Sequence, residues 1–373
     1  MDKKTININK LPSKTWYWLH MNDTKVSWNP DIAPCKVTVE EAFEDKETNS
    51  LISGDAAEFA TVESGAGREA DPIFADAQTE KTVLTASDKD AKATIRLAVD
   101  GTTAASAAGA CYLTAEEGTD TTIIETFTKK SAQAGSLAYR TMIQAKKDSR
   151  VRLVQVFMQD EEQTLLNDIG CVCDENAKFD ILQIFIGKGD LYNGIRTDLK
   201  GTGADTQVEI GYLGQKTQKI DVNLIINHFG KKTNCEIQVD GTLKDAAEKV
   251  FRGTIDFKNG ASESTGAETE NVLLLGDDVI NKTIPIILCA EEDVEGSHGA
   301  TIGELDEETL FYFESRGIDK EAAEDIMTHG KFEMLYRHIG DEQTQKLVEA
   351  QLAEVMADDR EAVSYTHLTL PTT

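Results

Sequence analysis

A mostly β fold with helical ends is predicted by three observations. From Lys92 onward, short β-branched runs with apolar alternation follow one another, among them "KATIRLAVDG", "RVRLVQVFMQ", "KFDILQIFIG" and "KIDVNLIINHFG". Gly, Asn, Asp and Lys turns separate them, with almost no helical pattern between. After Ser297 the pattern changes to Asp-capped, Gly-stopped helical segments. Many short strands at turn spacing fit a sandwich, a barrel or a β-helix, and periodicity leaves all three open.

The elements follow in order. Residues 1–90 read as a mixed or helical N-terminal segment. "LPSKTWYWLHMND" is a Pro-started stretch with aromatic anchors, and Trp16, Trp18 and Trp28 are all of the tryptophans. "TVEEAFEDKE" and "AAEFATVES" suggest short helices. Residues 91–296 form the β region. In residues 297–361, Asp306 caps "EETLFYFESR", with Gly317 as its stop. Asp319 caps "KEAAEDIMTH", with Gly330 as its stop, and "KFEMLYRHI" and "DEQTQKLVEAQLAEVM" complete four short helices. Leu347, Leu352, Val355 and Met356 line one face of the last. So small a helical unit needs the β region or a partner to cover its apolar faces. Residues 363–373, "VSYTHLTLPTT", read as the translation of a sequencing adapter, and His367 with them is set aside.

Charge and composition narrow the function. The chain has 373 residues, 40% of them hydrophobic, and a net charge of −28. That balance repels phosphate backbones and anionic headgroups, so neither nucleic acid nor a membrane surface is an expected partner. The N-terminus has no apolar signal core, and nothing approaches about 18 uninterrupted apolar residues, so a cytoplasmic location is expected. Six cysteines are too few for a disulfide framework and read as thiols.

Chemistry-bearing residues are sparse. Cys171 and Cys173 lie two apart on a strand, on one face; buried thiols are the default and a soft-metal pair the alternative. His228 reads as a hydrogen-bonded structural histidine, and His329 as suited to a helix C-terminus. His298 differs, because Gly296, Ser297 and Gly299 leave room around its ring, "AEEDVE" supplies carboxylates just before it, and Cys289 lies upstream on the same run. Imidazole beside acid and thiol groups suits iron or zinc. No phosphate-cradling loop, H-E-x-x-H, G-x-S-x-G or C-x-x-C is present, so no self-sufficient catalytic motif marks an enzyme.

The stretch "DVEGSHGATIGELDEETLFYFESRGI" resembles the C-terminal signature of the SufB/SufD family of iron–sulfur cluster assembly proteins. Upstream, "DLKGTGADTQVEIGYLG", "NHFG", "GTLKDAAEKVFRGTIDF" and "ENVLLLGDDVINKTIPII" fall in the family's order, and "LPSKTWYWLHMN" is similar to a motif of SufD-type members. "SHGATIG" also resembles SufD more than SufB, although Gly296 stands where many SufD-type members carry cysteine. The resemblance implies a right-handed parallel β-helix core with helical ends. It implies a non-catalytic scaffold that pairs with a SufB-like protein, or with itself in isolation. It further implies that the C-terminal helical region docks a SufC-like ATPase, with Leu310, Phe311, Tyr312, Arg316 and Gly317 in that surface. A transient iron–sulfur cluster would be shared with the partner, with His298 as interface ligand and Cys289 as a weaker candidate. The alternatives are a SufB-like scaffold that holds the cluster directly and, remotely, a stand-alone β-helix enzyme acting on polysaccharide.

Overall fold

The computed structural model describes residues 4–13, 20–29, 31–43, 56–75, 79–89, 92–101, 104–128 and 134–366. Trp16, Trp18 and His367 lie outside these. The N-terminal part holds β1 (Lys4–Ile8), β2 (Thr24–Trp28), β3 (Ala33–Pro34), β4 (Lys36–Phe43), a one-turn helix α1 (Asp71–Phe74) and β5 (Glu80–Ala86). Next come β6 (Lys92–Asp100), β7 (Ser106–Ala115), β8 (Asp120–Thr128), β9 (Gly135–Ala145), β10 (Arg150–Phe157), β11 (Gln163–Cys173) and β12 (Lys178–Phe185). They continue as β13 (Asp190–Leu199), β14 (Asp205–Gly214), β15 (Lys219–His228), β16 (Asn234–Lys244), β17 (Glu248–Phe257), β18 (Ser264–Leu275), β19 (Ile280–Cys289) and β20 (Val294–Gly303). Three helices follow among the described residues: α2 (Glu307–Glu314), α3 (Lys320–Arg337) and α4 (Glu342–Thr366).

From β6 onward each strand pairs in parallel with the second strand after it, never with its neighbour in sequence. Even-numbered strands make one sheet, β4 to β20, and odd-numbered strands the other, β3 to β19. The chain is therefore a parallel β-solenoid of about seven turns with C-terminal helices. A corner repeats where the sequence shows no repeat. Gly118, Asp148, Asn176, Gly203 and Lys232 each stand two residues before an even strand, all with positive φ. The left-handed conformation turns the chain there, and Gly, Asn and Asp bear it at least cost.

The two sheets enclose a continuous apolar interior. Phe127, Phe157 and Phe185 occupy one register position on three successive turns. Phe127 and Phe157 stack with ring centroids 4.9 Å apart. The interior is not wholly apolar: Glu125, Thr141, Gln155, Asn167, Gln183 and Asn193 are buried among these side chains and bond to one another.

The outer faces are covered by the chain ends. Ile8, Val26, Trp28, Ile73 and Phe74 pack on Ala108, Ala138 and Leu166 of the odd sheet. Arg252 clamps this layer, donating to the Met21 carbonyl at 2.7 Å and to Asp221 at 2.7 Å. On the even sheet, Phe332, Leu335, Ile339, Val348, Leu352 and Val355 cover Val154, Val156, Leu182 and Ile184. Leu352 is fully buried there. Leu352→Ala should therefore cost about 2–5 kcal/mol of unfolding free energy, read from a urea denaturation midpoint.

Several local expectations change. "KVTVEEAF" is strand β4, not helix, because its antiparallel pairing with β6 gives its backbone partners. Only Ala56–Phe59 of the second expected helix is helical, as a 3-10 turn. The regular elements described in the N-terminal segment are thus mainly strands, and β4 and β5 already join the solenoid sheets. Gly330 does not end a helix: α3 runs through it, so His329 is mid-helix and the described residues of the helical end form three helices. A glycine inside a helix costs about 1 kcal/mol, which the burial of Phe332 and Leu335 offsets. Gly317 and Gly340 do terminate helices, with φ of 77° and 76°. Asp306 and Asp319 cap as expected, accepting from Thr309 N at 2.8 Å and Ala322 N at 2.9 Å. Of the expected apolar face of α4, Leu352 and Val355 are buried while Leu347 stays exposed.

Candidate metal centre at the solenoid end

Among the described residues β19 and β20 are the last strands of their sheets, each paired along one edge only. Their backbone edges are templates for another chain. No residue of β20 is buried, and Ile284 alone is buried in β19.

His298 lies within β20. The sequence placed it at a joint between strand and helix, with the helical region starting at residue 297. The strand instead continues to Gly303, because "SHGATIG" pairs residue by residue with Ala267–Leu273 of β18. Paired residues of parallel strands point to the same side of a sheet. His298 stands opposite Glu268, and Cys289 opposite Phe257, whose ring is buried in the interior. Both therefore sit on interior-facing positions of the last turn, one in each sheet, where the solenoid is open. Val294 and Ile287, on the same faces, pack against the interior core. Cys289 Sγ donates to the Glu291 carbonyl at 2.9 Å, within its own turn. Among the described residues no three His, Cys, Asp or Glu side chains converge as a metal-holding group. What this end offers is one exposed imidazole and one exposed thiol.

The turn beneath carries groups that the sequence reading missed. Glu268, 4% exposed, has no hydrogen-bond partner among the described residues. Its carboxylate lies against the backbone of Gly253 on the facing sheet, where a Cβ would overlap it. Burial first, and Glu270 second, push its pKa up to about 7. Glu270 and Lys249 form an ion pair in which both side chains are 1% exposed. The Lys249 ammonium also donates to Thr283 Oγ1 at 2.9 Å. Burial holds Lys249 below its ordinary pKa, against the pull of Glu270. "GAETE" carried the signal: Gly266, Glu268 and Glu270 alternate in phase with Val272 of the apolar "VLLL" run.

The other expected residues divide. Cys171 and Cys173 are buried with their sulfurs 3.8 Å apart, and burial pushes the Cys171 thiol far up, so they are inert core residues. His228 is buried, with Nδ1 2.7 Å from Thr233 Oγ1 and Nε2 3.3 Å from Cys235 Sγ. Burial lowers its pKa to about 4, so the ring is neutral and structural. Leu310, Phe311 and Tyr312 lie on α2, which buries none of its residues; Phe311 is 72% and Tyr312 53% exposed. Arg316 places its guanidinium 3.7 Å from the centre of the Tyr312 ring, and Gly317 makes the turn into α3.

No helix among the described residues is long and apolar enough to cross a membrane. The iron–sulfur cluster assembly protein SufD of Bacillus subtilis (strain 168) is 31% identical over 169 residues, 45% of this chain and 38% of that protein. SufD of Escherichia coli (strain K12) is 23% identical over 243 residues, 65% of this chain and 57% of that protein. SufB of Bacillus subtilis (strain 168) is 26% identical over 162 residues, 43% of this chain and 35% of that protein. The match thus spans less than two thirds of each relative's length. A family model described as "SUF system FeS cluster assembly, SufBD core domain" matches residues 97–331, most of the solenoid and the first C-terminal helices. With the solenoid, its stacked register and this match over more than half its length, the chain belongs to the SufBD core family of the iron–sulfur cluster assembly system.

Proposed function

We propose that this chain is a SufD-like, non-catalytic scaffold of a cytoplasmic iron–sulfur assembly complex. It pairs with a SufB-like protein at the open end of the solenoid, and the nascent cluster is cargo shared across that junction. The observation that carries this reading is His298, exposed and interior-facing on the last turn between two unpaired strand edges. One imidazole cannot hold a cluster, so the partner supplies further ligands. Cys289 is the weaker second donor, since its thiol is turned to the Glu291 carbonyl.

The α2 surface, with Leu310, Phe311, Tyr312, Arg316 and Gly317, is the docking face for a SufC-like ATPase. Its support is the apolar and aromatic exposure of a helix that buries none of its own residues. Motion of the docked ATPase would reach the solenoid end as a rigid-body shift. The test is co-purification with the ATPase and the SufB-like protein, followed by anaerobic iron and sulfide analysis. Phe311→Asp should lose the ATPase and keep the SufB-like partner. His298→Ala should keep both and lower cluster yield at least about tenfold; full cluster yield in a normally assembled complex would refute the ligand role.

A further inference from the structure

We infer that Glu268 is a second metal ligand of this chain, completing with His298 a two-donor site for a divalent cation such as ferrous iron at the solenoid end. The inference rests on the placement of His298 as a ligand and adds to it a residue from the turn beneath.

Three observations support it. First, Glu268 and His298 are register partners on adjacent parallel strands, so both side chains project to the interior side. Neighbouring strands lie about 4.8 Å apart, slightly more than twice a metal–ligand bond of ~2.1 Å. Rotation of the Glu268 carboxylate away from Gly253 towards the next turn would bring both donors onto one ion.

Second, Glu268 is 4% exposed and makes no hydrogen bond to a described residue, which leaves its carboxylate available to an ion entering at the open last turn. The nearby Lys249 already bonds to Glu270 and Thr283. Third, the space is built for the carboxylate. Gly253 leaves its backbone open to it, and a Cβ there would overlap the Glu268 oxygens. In the next turn His298 stands clear of the core, and Gly299 beside it has open space. One imidazole and one carboxylate favour a borderline cation such as Fe²⁺ over a soft one, which needs thiolates.

Anaerobic titration of the full chain with Co²⁺ as the optical probe, repeated with Fe²⁺ in competition, tests this. The wild type should take up about one ion per chain, with ligand-field absorption of a nitrogen and oxygen donor set. Glu268→Gln and His298→Ala should each weaken binding at least about tenfold. Glu268→Gln keeps the side-chain shape and removes a buried charge, so its melting temperature should equal or exceed that of the wild type. Wild-type affinity in Glu268→Gln, with binding lost in His298→Ala, would overturn the role of Glu268 and leave that of His298 standing. No ion uptake by the wild-type chain would overturn the two-donor site and leave a ligand role of His298 within the complex to the cluster-yield experiment.

Discussion

Lys249→Met should be among the most damaging single substitutions in the solenoid, lowering stability by about 3–5 kcal/mol. Lys249 and Glu270 are each 1% exposed, Lys249 Nζ donates to Glu270 Oε1, and Glu270 Oε2 has no hydrogen-bond partner among the described residues. Removing the ammonium leaves Glu270 uncompensated, with the Glu268 carboxyl two residues away on the same face. Two carboxyls in one low-dielectric space must then be protonated or admit water, and either is costly. The double variant Lys249→Met/Glu270→Leu should recover most of the loss, because a hydrophobic pair of similar volume needs no solvation. Urea midpoints of the wild type, both single variants and the double variant close the cycle and give the coupling directly. Additive losses would mean that the pair is not energetically linked.

The fold class was legible because a buried parallel strand still needs β-branched alternation, and "RVRLVQVF" and "KFDILQIF" show it openly. The repeat was not, because it lies in backbone conformation. The positive-φ corners use Gly, Asp, Asn, Gly and Lys in turn, so no single residue marks every turn. Strand β4 was misread because its glutamates suit a helix, and only pairing with β6 decides the matter. The sequence singled out His298 but misplaced it. Its glycine-rich neighbourhood looks like a joint, yet an edge strand tolerates Gly296 and Gly299 where a central strand would lose packing. Glu268 was hidden for a related reason, since "SESTGAETE" is polar enough to pass for a loop until the register of β18 puts alternate residues inside.

The same blindness to interior polar positions conceals Glu125, and its titration gives the second large effect. Glu125 is fully buried, between Thr141 Oγ1, which donates at 3.0 Å, and Gln155 Nε2, which donates at 2.6 Å. Burial outweighs those two hydrogen bonds and raises its pKa from 4.5 to about 7. A carboxyl whose folded pKa is raised binds its proton more tightly in the native state. The native chain is therefore at no disadvantage below about pH 4.5, and stability is lost as pH rises towards about 7. Cys111 and Tyr139 face the same space, but burial pushes both far above this window, so they stay neutral through it. Glutamine keeps the shape and an acceptor for Gln155 and adds no charge. Glu125→Gln should therefore gain about 3 kcal/mol over the wild type above pH 7 and little near pH 4.5. Thermal and urea unfolding at about pH 5 and pH 8 measure the difference. An equal shift at both pH values would show that the carboxyl does not titrate within the fold. A loss at pH 8 would show that the ionised form is the one this interior was built to hold.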